Sequence, residues 1–193
     1  MVYLDNKLLL WINGLSGKFQ LLDNIMELLA SDYLVPVLFM LALISFWITG
    51  DNTNDRKKHQ IGVLIALISM GLCNWAVYII NGIYFRPRPF ETHEIYLLFY
   101  QPTDSSFPSN SAAFAFAIAT TILMINKKLG ITLYCIAALY GISRIFAGIH
   151  YPVDIIGSAF LSWVIVYAMF KLKPLLMPIL NNVIRVAKIF CLA

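Results

Sequence analysis

The sequence predicts an all-α membrane protein: a polytopic bundle of five transmembrane helices with amphipathic N- and C-terminal segments. Hydrophobic residues make up 60% of the 193 residues and charged residues 12%, against about one half and one quarter in soluble domains. The mean hydropathy is +0.77. Apolar runs of about 20 residues, the length that crosses a bilayer, alternate with polar stretches. We expect one domain over residues 1–193 and no secretory signal peptide.

The N-terminal segment, residues 6–30, is apolar but interrupted by Lys18, Asp23 and Glu27. It predicts one or two amphipathic helices at the membrane interface, and a sixth span stays open there. Five spans are predicted further along the chain, at residues 33–49, 61–85, 109–125, 129–146 and 152–170. Residues 51–59 are expected to form a polar loop, and the tail from Pro174 a helix along the interface.

The basic residues of the loops predict the orientation. Residues 56–58, 127–128 and 171–173 carry lysines and an arginine, and the predicted spans place all three stretches on one side. By the positive-inside rule that side is cytoplasmic, so we expect a cytoplasmic-membrane protein. The pI near 9 does not indicate nucleic-acid binding, because no platform of aromatic and basic residues accompanies it.

The stretch at residues 143–154, SRIFAGIHYPVD, is the most informative in the chain. Ionisable groups beside apolar spans indicate a functional site. If the segment from Pro152 is helical, His150 and Asp154 lie about one turn apart. An aspartate that accepts from one imidazole nitrogen leaves the other free to act as a base or a nucleophile.

Two other stretches are predicted to reach the same, outer face. Arg86 and Arg88 offer forked donors that match phosphate oxygens. Residues 109–111, Ser-Asn-Ser, open a predicted helix and offer hydroxyls and free N–H groups to an anion. With an oriented histidine, this set indicates phosphoryl transfer through a phospho-histidine.

Three motifs resemble the type 2 phosphatidic acid phosphatase (PAP2) superfamily. Ser143-Arg144, five residues, His150, three residues and Asp154 match its third motif, Arg88-Pro89 the end of its first, and residues 107–109 the start of its second. The resemblance covers roughly residues 31–170. Residues 84–90 and 148–154 look most like the small bacitracin-resistance type of undecaprenyl-pyrophosphate phosphatase.

The resemblance implies roles for these residues. His150 would be the nucleophile and Asp154 its orienter. Phosphate binding would fall to four residues: Arg88, Ser109, Asn110 and Arg144. It implies no metal and no cofactor, and a polyprenyl pyrophosphate taken from the bilayer as the substrate. The oligomeric state stays open.

The sequence departs from the family pattern at two positions. Asn81 stands where the first motif usually begins with lysine, and Ser111 where the second usually ends in the histidine that acts as general acid. A serine hydroxyl has no suitable pKa for that role. His93, in the outer loop, is an alternative proton source. Arg86 is either an interfacial anchor or a substrate ligand, and Asn74 is expected to bond between helices.

The predicted function is therefore hydrolysis of an isoprenyl pyrophosphate to its monophosphate, which would recycle the carrier lipid for cell-wall synthesis and could confer bacitracin resistance. The loss of the acid suits this substrate, because a departing phosphate is far less basic than an alkoxide. Two alternatives stay open. One is a lipid monophosphate phosphatase acting on phosphatidylglycerol phosphate or phosphatidate. The other is a catalytically impaired relative that binds lipid phosphates.

Overall fold

The computed structural model describes residues 2–190, and all the regular structure in this part of the chain is helical. The helices are α1 (Val2–Asn13), α2 (Gln20–Ala30), α3 (Leu34–Ile48), α4 (Thr53–Ile83), α5 (Pro89–Thr92), α6 (Asn110–Leu123), α7 (Lys127–Phe146) and α8 (Pro152–Ile189). The predicted all-α class is confirmed.

The N-terminal segment forms two helices, α1 and α2, as the charged interruptions indicated. The second of them continues into α3 after a short break, with a bend of 53°. Together the pair is long and apolar enough to cross a membrane as one broken span. The predicted first span corresponds to α3, and α2 of the predicted amphipathic segment precedes it in the same broken span.

The core of the bundle is α6, which packs against α4, α7 and α8. Its middle is buried on every side and includes Ala112, Ala113, Ala115, Ala117 and Ala119. Small side chains let helix backbones approach closely in membrane bundles. At 14 residues and about 21 Å, α6 is shorter than a usual span of about 30 Å. This helix is enclosed by its neighbours and meets the lipid little.

By length and composition, three of the described helices are long and apolar enough to cross a membrane: α4, α7 and α8. The broken α2–α3 pair raises the number to four. The third predicted span is the shorter α6, and the predicted total of five stays a prediction. The polar stretch at 51–59 is mostly helical, because Asn52 caps α4 by accepting from the N–H groups of Asn54 and Asp55.

The prediction of a separate helix in the tail from Pro174 was wrong. Helix α8 runs unbroken for 38 residues through Pro174 and Pro178, about 57 Å at 1.5 Å per residue. Leu180 and Ile184 of its second half are buried against Ile61 and Ile65 of α4. This packing offsets the stability that the helix loses because each proline removes a backbone hydrogen bond. The tail is therefore part of the bundle, and no separate interfacial helix forms.

Candidate active site

The turn between α7 and α8 places His150. Ala147 follows the last residue of α7, and Gly148 has a φ of 80°, a left-handed conformation that a side chain disfavours. Pro152 is the first residue of α8, as the sequence indicated. The turn therefore holds the imidazole rigidly at one end of the bundle, between two long helices.

The imidazole of His150 is 4% exposed and contacts polar groups through both nitrogens. Nδ1 lies 3.0 Å from the backbone oxygen of Ser106, and Nε2 lies 3.1 Å from Oγ of Ser109 and 3.5 Å from a terminal nitrogen of Arg88. A carbonyl oxygen can only accept, so in the neutral ring Nδ1 carries the proton. Nε2 then presents a lone pair toward the predicted phosphate ligands.

Burial lowers the pKa of His150 below its ordinary value, and the positive charges of Arg88 and Arg144 lower it further, against the opposing effect of Asp154. An imidazole with a lowered pKa is unprotonated near neutral pH. The site therefore holds His150 in the form that can act as a nucleophile.

Asp154 is 0% exposed and accepts from several groups. Its Oδ2 accepts from Oγ of Ser106 at 2.5 Å and from the N–H of Tyr151 at 2.8 Å. The same oxygen is 3.6 Å from Nδ1 of His150, too long for a hydrogen bond. The sequence expected a direct His–Asp hydrogen bond, and in the structure Ser106 connects the two. Ser106 fixes the ring through its carbonyl and the carboxylate through its hydroxyl, and no sequence motif marks it.

Arg88 is buried, and each of its three guanidinium nitrogens has a hydrogen-bond partner. It donates to the backbone oxygen of Ile149 at 2.9 Å, next to His150. It also donates to the backbone oxygen of Asp104 at 3.0 Å and to its carboxylate at 2.7 Å. The carboxylate is 60% exposed. An exposed partner of this kind can yield to a phosphate without the arginine having to move.

Arg144, in the last turn of α7, has the same kind of partner. It pairs with the carboxylate of Asp32, and it donates to the hydroxyl of Tyr140 at 2.7 Å. Its Nε is buried without a hydrogen-bond partner. The side chain of Asp32 is 38% exposed, so the second arginine also faces a carboxylate at the rim of the site. Sequence reasoning missed both carboxylates, because each lies in an ordinary polar stretch.

Ser109 caps α6, accepting from the N–H of Ala112 while contacting His150. The next two residues, Asn110 and Ser111, line a cavity of about 160 Å³ together with Asp32 and Tyr140. The predicted phosphate ligands of the second motif therefore lie beside the partners of Arg144. Ser111, which replaces the family's histidine, is thus part of this cavity wall.

A larger cavity of about 580 Å³ lies beside it and is lined by Asn81, Asn110 and Asp104. Asn74 lines both cavities. The side-chain oxygens of Asn74 and Asn81 are buried and have no hydrogen-bond partner. The expectation that Asn74 bonds between helices was wrong for that oxygen. Both residues nevertheless line cavities that they share with Asn110, one of the predicted phosphate ligands.

Arg86 and His93 lie outside these two cavities. Arg86 donates to Asp154 at 2.5 Å and to Asp5 of α1 at 2.6 Å, and it stacks on the ring of Tyr151. The guanidinium is half-buried in these ion pairs and also lines the cleft that His93 lines, so the anchor and the substrate-ligand interpretations both stay predictions. His93 contacts Thr92 and Tyr151 and lines a separate cleft of about 520 Å³, away from the contacts of Nε2. Within residues 2–190, no three His, Cys, Asp or Glu side chains gather as a metal site.

Comparison with known proteins gives consistent results. The profile of the PAP2 superfamily matches residues 62–177. The chain is 38% identical over 176 residues to the undecaprenyl-diphosphatase BcrC of Bacillus subtilis, covering 91% of this chain and 87% of the relative.

Two solved structures share the fold. The crystal structure of Aquifex aeolicus LpxE superposes with a TM-score of 0.68 at 30% identity, covering 87% of this chain and 95% of LpxE. A PAP2-type phosphatidylglycerolphosphate phosphatase from Bacillus subtilis superposes with a TM-score of 0.62 at 18% identity, covering 88% and 86% of the two chains. The second likeness concerns the fold alone.

Proposed function

The chain belongs to the PAP2 superfamily, and from that premise we propose that it hydrolyses undecaprenyl pyrophosphate to undecaprenyl phosphate through a phospho-histidine. The single observation that carries the mechanism is the environment of His150. Nδ1 is held by the Ser106 carbonyl, and Nε2 is open to the arginine and serine that would bind phosphate. The broad assignment, a hydrolase acting on a lipid diphosphate in the membrane, agrees with the similarity to an undecaprenyl-diphosphatase.

The reaction would proceed in two displacements. Nε2 of His150 attacks the terminal phosphorus, the bond from that phosphorus to the bridging oxygen breaks, and undecaprenyl phosphate leaves. Water then attacks the phosphorus of the phospho-histidine, the N–P bond breaks, and inorganic phosphate is released. Arg88 and Arg144 would neutralise the charge that gathers on the transferred group. The substrate phosphate would replace Asp104 and Asp32 at the two guanidinium groups.

Ser111 bears on the choice of substrate. General acid catalysis typically contributes 10²- to 10⁴-fold, and it matters most for a strongly basic leaving oxygen. A departing lipid phosphate is weakly basic and leaves without a proton. Asn74 lines the cavity that also contains Ser111, and its amide nitrogen would donate a hydrogen bond to this departing phosphate. The site therefore suits a pyrophosphate better than a lipid monophosphate.

A second candidate function rests on Ser111 alone. A family member without its general acid could bind lipid phosphates without turning them over. Phosphate release from undecaprenyl pyrophosphate in detergent separates the two: turnover that His150→Ala abolishes establishes the enzyme. His59→Ala is the matched control, because His59 stacks on Phe46 at the opposite end of the bundle. Absence of wild-type turnover, with tight phosphate binding, would support the binding protein.

We also propose that the site faces the extracytoplasmic side of the cytoplasmic membrane. At the opposite end of the bundle, residues from the 49–59 stretch line one cavity together with Asn126 and Leu129. The basic residues 127–128 lie between those two in the chain. A membrane-impermeant maleimide should label Gln101→Cys, in the loop at the site end, in intact cells. Asp51→Cys, at the other end, should react only after lysis. The reverse pattern would overturn the orientation.

A further inference from the structure

We propose that Asp5 of α1 is a positioning residue of the active site, acting on His150 through Arg86 and Asp154. The inference rests on the proposed function, and it extends the site to a helix that lies outside the three family motifs. Asp5 is 3% exposed, although it belongs to an amphipathic helix at the start of the chain. A carboxylate this buried is costly unless charged and polar partners surround it.

Both oxygens of the Asp5 carboxylate are used. Oδ2 accepts from a terminal nitrogen of Arg86 at 2.6 Å, and Oδ1 accepts from the backbone N–H of Val153 at 2.9 Å. Val153 is the second residue of α8 and the neighbour of Asp154. Asp5 therefore holds the first turn of the helix that carries Asp154, and it also holds the arginine that binds Asp154.

Arg86 connects the two carboxylates. One of its terminal nitrogens binds Asp5 and the other binds Oδ1 of Asp154 at 2.5 Å. Its backbone N–H donates to Oγ of Ser105, and its side chain lies 3.9 Å over the ring of Tyr151. With the guanidinium of Arg86 held between the two carboxylates, Asp154 keeps one oxygen on the arginine and the other on Ser106, the residue that holds the imidazole.

The arrangement also sets a charge balance near His150. Three charged groups act on the ring directly: Asp154 from α8, Arg88 from the loop before α5 and Arg144 from α7. Asp104 pairs with Arg88, and Asp32 pairs with Arg144. Arg86 reduces the pull of Asp154 on the imidazole, and Asp5 in turn reduces the influence of Arg86. Removing Asp5 should disfavour the protonated ring, whereas removing Arg86 should favour it.

The test compares Asp5→Asn, Arg86→Gln and Asn13→Ala in the full chain in detergent. Asn13 is the matched control, because it is another buried polar residue of α1 and binds only backbone groups, those of Tyr96 and Phe146. We expect Asp5→Asn to lower kcat about 10-fold with KM unchanged, because a hydrogen bond to a charged group is lost away from the substrate. Asp5→Glu should restore part of the loss.

The decisive readout is the titration of His150 by NMR of labelled histidine, which is feasible with three histidines in the chain and does not depend on turnover. The His150 titration should move to lower pH in Asp5→Asn and to higher pH in Arg86→Gln, and stay in place in Asn13→Ala. Equal losses of activity in Asp5→Asn and Asn13→Ala, with an unchanged His150 titration, would mean that Asp5 only fastens α1 to the bundle and would overturn the proposal. An inactive wild type would instead contradict the proposed function, with the titration still deciding the role of Asp5.

Discussion

Substitution of Ser106 by alanine tests how the histidine is held. The change keeps the backbone oxygen that accepts from Nδ1 of His150 and removes the hydroxyl that donates to Asp154 at 2.5 Å. A hydrogen bond to a charged group contributes about 1.5–3 kcal/mol. In this site it restrains the loop that carries the carbonyl, and that carbonyl bonds more strongly once the ring is phosphorylated and positively charged. At about 1.4 kcal/mol per factor of ten, kcat should fall about 10- to 100-fold.

The assay is phosphate release from undecaprenyl pyrophosphate, with kcat and KM determined separately. Ser105→Ala is the matched control: Ser105 is the neighbouring buried serine, but its hydroxyl contacts only backbone groups of Tyr84, Arg86 and Phe107. That variant should stay within a few-fold of the wild type, and KM should change little in either. If Ser106→Ala keeps wild-type kcat, or if both variants lose activity equally, the hydroxyl does not support the histidine and the reasoning fails.

Three further predictions follow from the site. Ser111→His should raise the rate on a lipid monophosphate by about 10²-fold or more and the rate on the pyrophosphate much less, since only an alkoxide needs the proton; equal gains on both would refute the leaving-group argument. Asn74→Leu should raise KM for the pyrophosphate several-fold, with Ile79→Leu, on the same cavity wall, as the control. The pH profile of kcat/KM should have an acid limb below the ordinary imidazole pKa of about 6.5, because burial lowers the pKa of His150 and activity needs the neutral ring; a limb above 6.5 would contradict this.

The sequence predicted the convergence of His150, Asp154, Arg88 and Ser109 because topology alone requires it. The spans that separate these residues bring their loops to one end of the bundle, and in the structure their side chains lie within contact distance. It also predicted how α6 and α8 begin, since Ser109 as a cap and Pro152 in a first turn act through local backbone geometry. Such features depend on residues that are close in sequence, so they can be predicted without knowledge of the fold.

What the sequence could not predict depends on distant parts of the chain. Ser106 acts partly through its carbonyl, which every residue has, so no side-chain pattern marks it. Asp5 lies 81 positions from Arg86, and as a lone acid in an amphipathic segment it resembles a solvated residue. The continuation of α8 was hidden because Lys171 and Lys173 resemble a stop signal. The packing of Leu180 and Ile184 on α4 outweighs that signal, and it is visible only in three dimensions.

The two departures from the family pattern have one physical consequence. With Asn81 and Ser111 in place of a lysine and a histidine, the polar part of the lining of the two cavities next to Asn110 consists of amides, hydroxyls and carboxylates that already pair with arginines. No histidine lines either cavity within the part of the chain that the structure describes. Neutral donors of this kind can bind a phosphate that departs as an anion, but they cannot supply the proton that an alkoxide requires. Substrate choice in this site would therefore depend on the basicity of the leaving group more than on the shape of the lipid.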